Sequence, residues 1–552
     1  MTLQEAFLAY CTERPSAVAV SRPFRPETER LSRDSLLRAA SSAARHLRTL
    51  GMRQGNRVLL SLGTDATFLK WYWAAQLLGI VVVPVEPAVS RRRKAAQTEY
   101  IRLLGGAVRA GAIILCRETT LDPNDLPNIL CIPEDAADSD RAVLRREEIA
   151  SVTPQDVALI QFSSGSTGQP KGCVLTHSAI AANARAWIAK FGYRCGEATL
   201  NWMPLFHDFG LMLGVLAPVF GNMTSILLPT RSFIADPATW LRALTVAGPV
   251  HTAAPASVLS LVCTRLESRH WQDLALHEIR SLICAAEPID PGAARRFIDL
   301  AAGYGFEPDA FFCGYGMSET TAMASAKRGL TLDYLPRDFS SSIGAQLDAP
   351  QAMQATRAFV SLGLPHPGSE FQVVDDRGVR LGERRLGHLR IRSDSLLECY
   401  VDARGNRLEA MKDGWLETGD IGYLAHDEFH FVARHKELIV AAGRKIAPAD
   451  VDHAISTALG IGVHRVASFG QEDGSDASGI IVIVECRHAD WLSIERIART
   501  ACYEQTGFQP AAIVTCPIGT IPKTSSGKIR RTLLQERFQR GQLSRGLHGA
   551  CA

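Results

Sequence analysis

Residues 163–172 are the first candidates for chemistry, because hydroxyl side chains and glycines alternate there before a lysine. The run reads Ser163-Ser164-Gly165-Ser166-Thr167-Gly168-Gln169-Pro170-Lys171-Gly172, between a predicted strand and a predicted helix. Glycine permits backbone dihedrals that turn N–H groups inward, while the hydroxyls and Lys171 add donors and positive charge. Such a concavity suits phosphate oxygens. The G-x-x-x-x-G-K-[ST] nucleotide loop is absent, and the run taken alone also fits a flexible surface loop.

Two further strings combine glycine with a side chain suited to a nucleotide. They read Gly314-Tyr315-Gly316-Met317-Ser318-Glu319-Thr320-Thr321 and Trp415-Leu416-Glu417-Thr418-Gly419-Asp420-Ile421-Gly422. Tyr315 between glycines can offer an aromatic face to a base, and Glu319 supplies the hard oxygen that Mg²⁺ requires. Asp420 can accept hydrogen bonds from ribose hydroxyls. Alone, each string also fits a structural turn, which for Asp420 is a hairpin turn.

Two basic stretches lie near the end of the chain. They read Arg434-His435-Lys436-Glu437-Leu438 and Ile521-Pro522-Lys523-Thr524-Ser525-Ser526-Gly527-Lys528-Ile529-Arg530-Arg531. Lys528 falls where a loop is predicted to enter a C-terminal helix. By charge count alone, both stretches fit a solvated basic surface.

The composition predicts a globular chain of more than one domain. Its 552 residues exceed the roughly 100–200 residues of one domain. Lysine plus arginine number 60 and aspartate plus glutamate 57, a near balance that gives no support for a nucleic-acid or membrane-surface role. The 13 cysteines include no C-x-x-C pair, and the N-terminus lacks a signal-peptide pattern, so we expect a cytoplasmic location. Residues 209–228 come nearest to a membrane span, but Pro218 and Gly221 favour a buried helix, a turn and a strand.

The hydrophobic pattern predicts an α/β fold. A strand at 57–62, a helix at 66–78 and an apolar run at 80–85 make a strand–helix–strand unit, and the pattern recurs from residue 157. Such units imply a parallel sheet covered by helices. Shorter alternating elements after about residue 435 predict a small α+β domain.

The order and spacing of the five strings, from residue 163 to residue 531, resemble those of the adenylate-forming superfamily of acyl-CoA synthetases, peptide synthetases and luciferases. The resemblance covers nearly the whole chain. It implies an α/β fold with a large N-terminal adenylation domain of layered sheets and helices at 1–434. A small, mobile α+β domain at 435–552 would carry the catalytic lysine. The implied cofactors are ATP and Mg²⁺.

The resemblance also assigns roles to individual residues. It places ATP phosphates at Ser163, Ser164, Gly165, Ser166, Thr167, Gly168 and Lys171, and ribose at Asp420 and Arg434. Adenine would stack on Tyr315, with the backbone of Ala286, Glu287 and Pro288 on its other side. Further cofactor-binding positions are Gly316, Met317 and Ser318. The implied catalytic residues are Lys528, Glu319 and His207. Lys528 would bridge the reacting carboxylate and the α-phosphate, and Glu319 would bind Mg²⁺. Lys436 would mark the hinge between the domains.

The string Pro204-Leu205-Phe206-His207-Asp208-Phe209-Gly210-Leu211 resembles the fatty acyl-AMP ligase branch rather than amino-acid-activating domains. The apolar tunnel that this implies for a medium- or long-chain fatty acid would be lined by Met203, Phe209, Met212, Leu213, Phe233 and Met317. For any single one of these side chains, plain core packing is the better explanation, and the tunnel rests on the set.

The acceptor is predicted from the length of one segment. About 40 residues separate Glu319 from Ser361, more than we expect of acyl-CoA ligases, and fatty acyl-AMP ligases carry an insertion in this region. The implied acceptor is the phosphopantetheine thiol of an acyl carrier protein in a polyketide or peptide synthetase line. Two alternatives remain open: an acyl-CoA ligase that uses free CoA, and an inactive homologue that binds an adenylate or a carrier.

Overall fold

The computed structural model describes most of the 552 residues. The described ranges are 1–25, 30–137, 142–163, 170–266, 268–336, 342–350, 356–441, 444–471, 479–486, 491–523 and 529–543.

The helices of the described residues are mostly short, and many follow a strand directly. Their bounds are α1 (Leu3–Glu13), α2 (Arg33–Thr49), α3 (Ala66–Leu77), α4 (Lys94–Val108), α5 (His177–Phe191), α6 (Asp208–Leu211), α7 (Ala217–Phe220), α8 (Thr230–Ala235), α9 (Ala238–Val246), α10 (Ala256–Arg265), α11 (Ser268–Trp271), α12 (Pro291–Ala302), α13 (Pro448–Ala458), α14 (Trp491–Thr506) and α15 (Arg531–Gln539). Met212–Leu216 forms a π-helical turn between α6 and α7, and 3₁₀ turns include Ser318–Thr320 and His435–Glu437.

The strands fall into several sheets. Their bounds are β1 (Val18–Ser21), β2 (Leu31–Ser32), β3 (Arg57–Ser61), β4 (Val81–Pro84), β5 (Ala112–Leu115), β6 (Leu130–Pro133), β7 (Val157–Ser163), β8 (Lys171–Thr176), β9 (Ala198–Asn201), β10 (Thr224–Leu227), β11 (Val250–Ala254), β12 (Ile279–Cys284), β13 (Phe311–Tyr315), β14 (Ser325–Arg328), β15 (Leu332–Pro336), β16 (Thr356–Val360), β17 (Leu364–Pro365), β18 (Ser369–Val374), β19 (Gly387–Ser393), β20 (Cys399–Val401), β21 (Arg407–Leu408), β22 (Met411–Lys412), β23 (Trp415–Ala425), β24 (Glu428–Arg434), β25 (Ile439–Ala441), β26 (Arg444–Ile446), β27 (Val466–Gln471), β28 (Gly479–Glu485) and β29 (Ala512–Cys516).

Two large sheets form the centre of the molecule. One has the strand order β21-β20-β8-β7-β4-β3-β5-β6, and the other has the order β17-β14-β13-β12-β11-β9-β10-β1-β2. Within them, β4, β3, β5 and β6 run parallel, as do β10, β9, β11, β12 and β13. The predicted α/β class is confirmed. Parallel strands are buried on both faces, which is why β3 and β4 read as nearly continuous apolar runs.

Helix α3 shows how the sequence places an element between layers. Asp65 caps its first turn by accepting a hydrogen bond from the Thr67 N–H at 2.9 Å. The helix is apolar nearly all round, and Trp71 and Trp73 are both fully buried. A helix without a polar face belongs inside a protein, and α3 is accordingly part of the main hydrophobic core.

The segment that came nearest to a membrane span folds as predicted, into a buried helix, a turn and a strand. Residues 208–220 are helical through α6, the π turn and α7, and β10 follows after Asn222, which has a φ of 57°. Among the described residues, none of the helices combines the length and the apolarity needed to cross a membrane.

A third sheet contains residues 415–422, the string that includes Asp420. Its order is β18-β19-β23-β22, with β24 paired to β23. The β23–β24 register sets Asp420 opposite Arg434. Asp420 therefore lies within a strand, and the alternative of a hairpin-turn aspartate is wrong. Gly419 before it has a φ of 74°, which glycine tolerates best.

The C-terminal residues form a smaller α+β unit, built on β27-β28-β29 and packed by α13 and α14. Within the described part of the chain, ion pairs connect it to the rest of the molecule. Arg357 of β16 lies 2.5 Å from Asp450, and His453 Nδ1 lies 2.8 Å from Asp290. The boundary between residues 434 and 435 stays a prediction.

Candidate active site

The ends of several strands meet at one edge of the molecule. In the parallel part of the second sheet, β12 ends at Cys284 and β13 ends at Tyr315, with Cys284 paired to Cys313. The carboxyl ends of parallel strands and the loops that follow them form the usual ligand crevice of α/β proteins. The loop that follows Cys284 and the string that includes Tyr315 therefore both lie at this edge.

Tyr315, Asp420 and Arg434 form one contact group. The Tyr315 hydroxyl donates to Oδ2 of Asp420 at 2.6 Å, and Arg434 Nε lies 3.1 Å from Asp420 Oδ1. The Asp420 carboxylate raises the pKa of Arg434, and burial together with the same carboxylate raises the pKa of Tyr315 well above its usual range. The group therefore places a phenol, a carboxylate and a guanidinium in contact.

The Tyr315 ring is itself well packed. Phe371 and Phe429 approach it edge-on, with ring centres 6.2 and 5.1 Å away, and the residue is only 8% exposed. Stacking on adenine stays a prediction. Neighbouring Gly316 leaves no room for a side chain, because a Cβ there would come within 1.9 Å of the Ala322 carbonyl oxygen.

The loop after β12 carries the other residues assigned to adenine. Ala286 has a φ of 73°, a left-handed conformation that costs an alanine roughly 1–2 kcal/mol. The Glu287 carboxylate accepts a hydrogen bond from the Ser257 backbone N–H. This contact holds the start of α10 to the loop, so Glu287 shapes the loop, and Pro288 follows it.

Glu319 lies in the 3₁₀ turn directly after the Tyr315 strand. Its backbone carbonyl accepts from the Leu397 N–H at 2.9 Å, and its Oε1 accepts from the Tyr400 hydroxyl at 3.0 Å. Burial raises the pKa of Glu319, and the bond from Tyr400 opposes that shift. Lys171, at the exit of the serine- and glycine-rich run, has its Nζ 5.4 Å from the centre of the Tyr400 ring.

Asp208 connects two of the sequence strings. His207 Nδ1 lies 2.8 Å from Asp208 Oδ1, and the Ser318 hydroxyl donates to Asp208 Oδ2. Burial would raise the pKa of Asp208, but His207, the Ser318 hydroxyl and the Phe209 N–H outweigh it and hold the pKa below its usual value. His207 is thus joined to the Ser318–Glu319 turn through an ionised carboxylate.

Sequence reasoning missed two residues as site members. Asp208 lies in the string 204–211 but was assigned no role. An acidic residue next to His207 could have been predicted to pair with it. Tyr400 had no signal, because only the pairing of β20 with β8 brings it to Glu319 and Lys171.

The residues assigned to the acyl chain belong to the main hydrophobic core. Met203, Phe209, Met212 and Phe233 are between 0 and 5% exposed, Leu213 belongs to the same core, and the partly buried Met317 packs against it. Phe233 stacks on Trp202 with ring centres 3.9 Å apart. The packing places these residues in or against one hydrophobic core, and their role as a tunnel stays a prediction.

Part of the predicted nucleotide site falls outside the described residues. This holds for Ser164, Gly165, Ser166, Thr167 and Gly168, and for Lys528. The residues flanking them are placed. Backbone pairing sets Ser163 opposite Lys171, and Lys523 forms an antiparallel bridge with Ile529. The hinge candidate Lys436 lies in the 3₁₀ turn that follows β24.

The donor set fits Mg²⁺ held partly by a nucleotide. Among the described residues, no group of three His, Cys, Asp or Glu side chains could hold a metal ion. Mg²⁺ bound with ATP usually takes one or two carboxylates and completes its shell with phosphates and water. The Glu319 carboxylate, whose partner Tyr400 also contacts Lys171, suits that arrangement.

Comparison with known proteins decides the family. The model of the AMP-binding enzyme family matches residues 7–401. The chain belongs to the AMP-binding enzyme family. A structure from a study of fatty acyl-adenylate ligases from E. coli and L. pneumophila superposes with a TM-score of 0.89 at 26% identity, covering 98% of each chain.

Curated relatives of this AMP-binding enzyme agree. A Mycobacterium tuberculosis protein named provisionally as ligase Rv1013 is 30% identical over 69% of this chain and 71% of its own length. A Caulobacter vibrioides protein whose name assigns it provisionally to the acyl-CoA synthetases is 27% identical over 90% of this chain and 88% of its own. The chain is an adenylate-forming enzyme of the acid–thiol ligase type that acts on carboxylic acids.

Proposed function

We propose that this enzyme uses ATP to convert a fatty acid to an acyl-adenylate and passes the acyl group to the phosphopantetheine thiol of an acyl carrier protein. The observation that carries the proposal is the convergence of Tyr315, Asp420 and Arg434 at the sheet edge where Glu319 and His207 also lie.

The adenylation step follows from the charges of the site. A carboxylate oxygen of the fatty acid attacks the α-phosphorus of ATP, and the bond to the leaving pyrophosphate breaks. Negative charge builds on the phosphoryl oxygens, and fixed cations and donors stabilise it. Lys171 is the cation assigned to the ATP phosphates, and Lys528 is the cation assigned to the reacting phosphoryl group. Mg²⁺, when bound, would be held by Glu319 and would neutralise charge on the pyrophosphate.

The ribose side of the site binds rather than reacts. Asp420 accepts from Tyr315 and pairs with Arg434, so the direction of its carboxylate is fixed. A fixed carboxylate can accept bonds from sugar hydroxyls with little ordering cost. We assign ribose recognition to Asp420 and Arg434.

Replacement of Lys528 by alanine tests the reaction. We expect adenylate formation to fall by roughly 10²–10³ because one charge-stabilising donor is lost. Lys523→Ala is the matched control: Lys523 lies in the same basic stretch, but its Nζ is 3.7 Å from Glu485 and it has no assigned role. Adenylate formation that is unchanged in Lys528→Ala would remove the assignment.

The fatty-acid assignment rests on the buried apolar region and on the likeness to fatty acyl-adenylate ligases. ATP–pyrophosphate exchange with a ladder of fatty acids and a panel of amino acids tests it. A preference for amino acids would refute the substrate class. Absence of exchange with every acid would instead favour an inactive binding homologue.

The carrier acceptor is supported by the segment between Glu319 and Ser361. Strands β15 and β16 of this segment pair with each other, and Asp333 of β15 accepts from Arg384 at 2.8 Å and from Tyr423 at 2.7 Å. On the other strand, Arg357 reaches Asp450 of the C-terminal unit. A hairpin fixed to both parts of the chain can restrict the access of free CoA.

An acyl-CoA ligase is the second candidate, because the Caulobacter vibrioides relative bears an acyl-CoA synthetase name. Hydroxylamine trapping measures acyl-AMP, and parallel reactions with CoA and with holo carrier protein measure each thioester. We expect thioester on the carrier and little acyl-CoA. Efficient acyl-CoA formation would refute the carrier as acceptor and identify the enzyme as an acyl-CoA ligase.

A further inference from the structure

Tyr400 lies between Lys171, which is assigned to the ATP phosphates, and Glu319, the carboxylate assigned to Mg²⁺. Its strand, β20, pairs antiparallel with β8, and the register sets Tyr400 opposite Cys173. Lys171 is two residues before Cys173, and side chains two apart on a strand point to the same face. The sheet therefore puts Tyr400 and Lys171 on one face, at the edge where β8 begins.

Both ends of the Tyr400 side chain are in contact with that site. The hydroxyl donates to Glu319 Oε1 at 3.0 Å, and the Lys171 ammonium lies 5.4 Å from the ring centre, within cation–π range. The Tyr400 side chain therefore contacts both groups, the Glu319 carboxylate through its hydroxyl and the Lys171 ammonium through its ring.

We infer that Tyr400 is a positioning residue of the adenylation site: its hydroxyl orients the Glu319 carboxylate for the metal, and its ring orients Lys171 toward the phosphates. This inference rests on the proposed function. A ligand carboxylate held by a second hydrogen bond presents a fixed oxygen to the metal, and loss of such a partner typically weakens metal binding or activity by roughly 10–100-fold.

Two substitutions separate the two contacts. Tyr400→Phe removes the hydroxyl and keeps the ring, and Tyr400→Leu removes both. For Tyr400→Phe we expect the Mg²⁺ concentration for half-maximal pyrophosphate exchange to rise roughly 10–100-fold, with the KM for ATP at saturating Mg²⁺ nearly unchanged. For Tyr400→Leu we expect the same rise, and also a higher KM for ATP, because Lys171 loses its aromatic neighbour.

A binding measurement keeps the inference independent of turnover. Mn²⁺ replaces Mg²⁺ in an electron paramagnetic resonance titration with a non-hydrolysable ATP analogue and no acid substrate. We expect Tyr400→Phe to weaken Mn²⁺ binding by a factor similar to the change in Mg²⁺ requirement. If the unmodified enzyme activates no acid, the proposed function fails, while this titration still decides the role of Tyr400 toward the metal.

Tyr423→Phe is the matched control. The Tyr423 hydroxyl donates to Asp333 at 2.7 Å and the residue is fully buried, so the substitution removes the same kind of tyrosine–carboxylate bond away from the nucleotide residues. We expect this variant to melt at a lower temperature with unchanged Mg²⁺ and Mn²⁺ responses. A Tyr400→Phe enzyme whose Mg²⁺ requirement and Mn²⁺ affinity equal those of the unmodified enzyme would overturn the inference.

Discussion

Replacing Asp420 by a neutral residue is the most direct test of the proposed ribose site. Asp420→Asn removes the charge that Arg434 pairs with at 3.1 Å and weakens the bond from Tyr315, in a residue only 2% exposed. Each hydrogen bond to a charged group contributes about 1.5–3 kcal/mol, and the asparagine carbonyl keeps one neutral bond of about 1 kcal/mol. Because the Arg434 side chain is 32% exposed and still reaches water, we expect unfolding stability to fall by roughly 2–3 kcal/mol.

The effect on ATP is separate from the effect on stability. If Asp420 accepts a ribose hydroxyl, the loss of its charge removes one more charge-assisted bond from the bound nucleotide. That loss corresponds to roughly 10–150-fold in the KM for ATP. Pyrophosphate exchange at saturating fatty acid and Mg²⁺ measures the KM, and chemical denaturation measures the stability.

A second cluster of the same composition supplies the control. Asp333 accepts from the Tyr423 hydroxyl at 2.7 Å and from Arg384 at 2.8 Å, and its pKa is lowered because those bonds outweigh burial. Asp333→Asn is therefore expected to cost similar stability and to leave the KM for ATP unchanged. Equal KM values in the two variants would refute the assignment of ribose binding to Asp420, whatever their stabilities.

Three further predictions concern packing and charge. Gly316→Ala is expected to lower stability by roughly 1–3 kcal/mol and to abolish exchange, because the added Cβ overlaps a backbone carbonyl; denaturation and exchange assays check both. Arg531→Met is expected to lower the unfolding free energy of the C-terminal unit by roughly 3–5 kcal/mol, since the 1%-exposed Asp452 carboxylate loses its arginine partner at 2.6 Å. Combining Arg531→Met with Asp452→Leu should recover much of that loss, as a denaturation assay would show. The hydrogen bond to Asp290 raises the pKa of the His453 imidazole in the folded protein. The contribution of this pair to folding stability is therefore complete below about pH 6.5, the unfolded pKa, and is lost as the pH rises through the higher pKa of the folded state. The melting temperature of His453→Gln should accordingly fall below that of the unmodified enzyme at pH 6 but not at about pH 9, by an amount that corresponds to no more than about 1 kcal/mol because the imidazole is 54% exposed.

The strand–helix–strand pattern was readable because burial on both faces requires continuous apolar runs. The runs at 57–62 and 157–162 became β3 and β7, and the helix predicted at 66–78 became α3, within a residue or two at each end. The same logic excluded a membrane span at 209–228. Local composition decides such features, since it reports which side chains must leave water.

The contacts between side chains could be predicted less well from the sequence. The sequence marked Tyr315, Asp420 and Arg434 as nucleotide residues, but the 2.6 Å bond between Tyr315 and Asp420 joins positions 105 residues apart. The hairpin-turn alternative for Asp420 failed because β23 continues through it, driven by pairing with β19 and β24. Strand pairing of this kind depends on distant neighbours.

By itself, the sequence determined the α/β class and the chemical character of the nucleotide residues, because glycine spacing, hydroxyls and charges are properties of short segments. Only the tertiary structure decided which carboxylate each hydroxyl and cation serves. Tyr400 illustrates the difference: nothing in its segment distinguishes it, yet the pairing of β20 with β8 delivers its hydroxyl to Glu319 and its ring to Lys171. Hydrogen bonds and ion pairs act over a few ångströms, so their partners are set by the packing of sheets and not by distance along the chain.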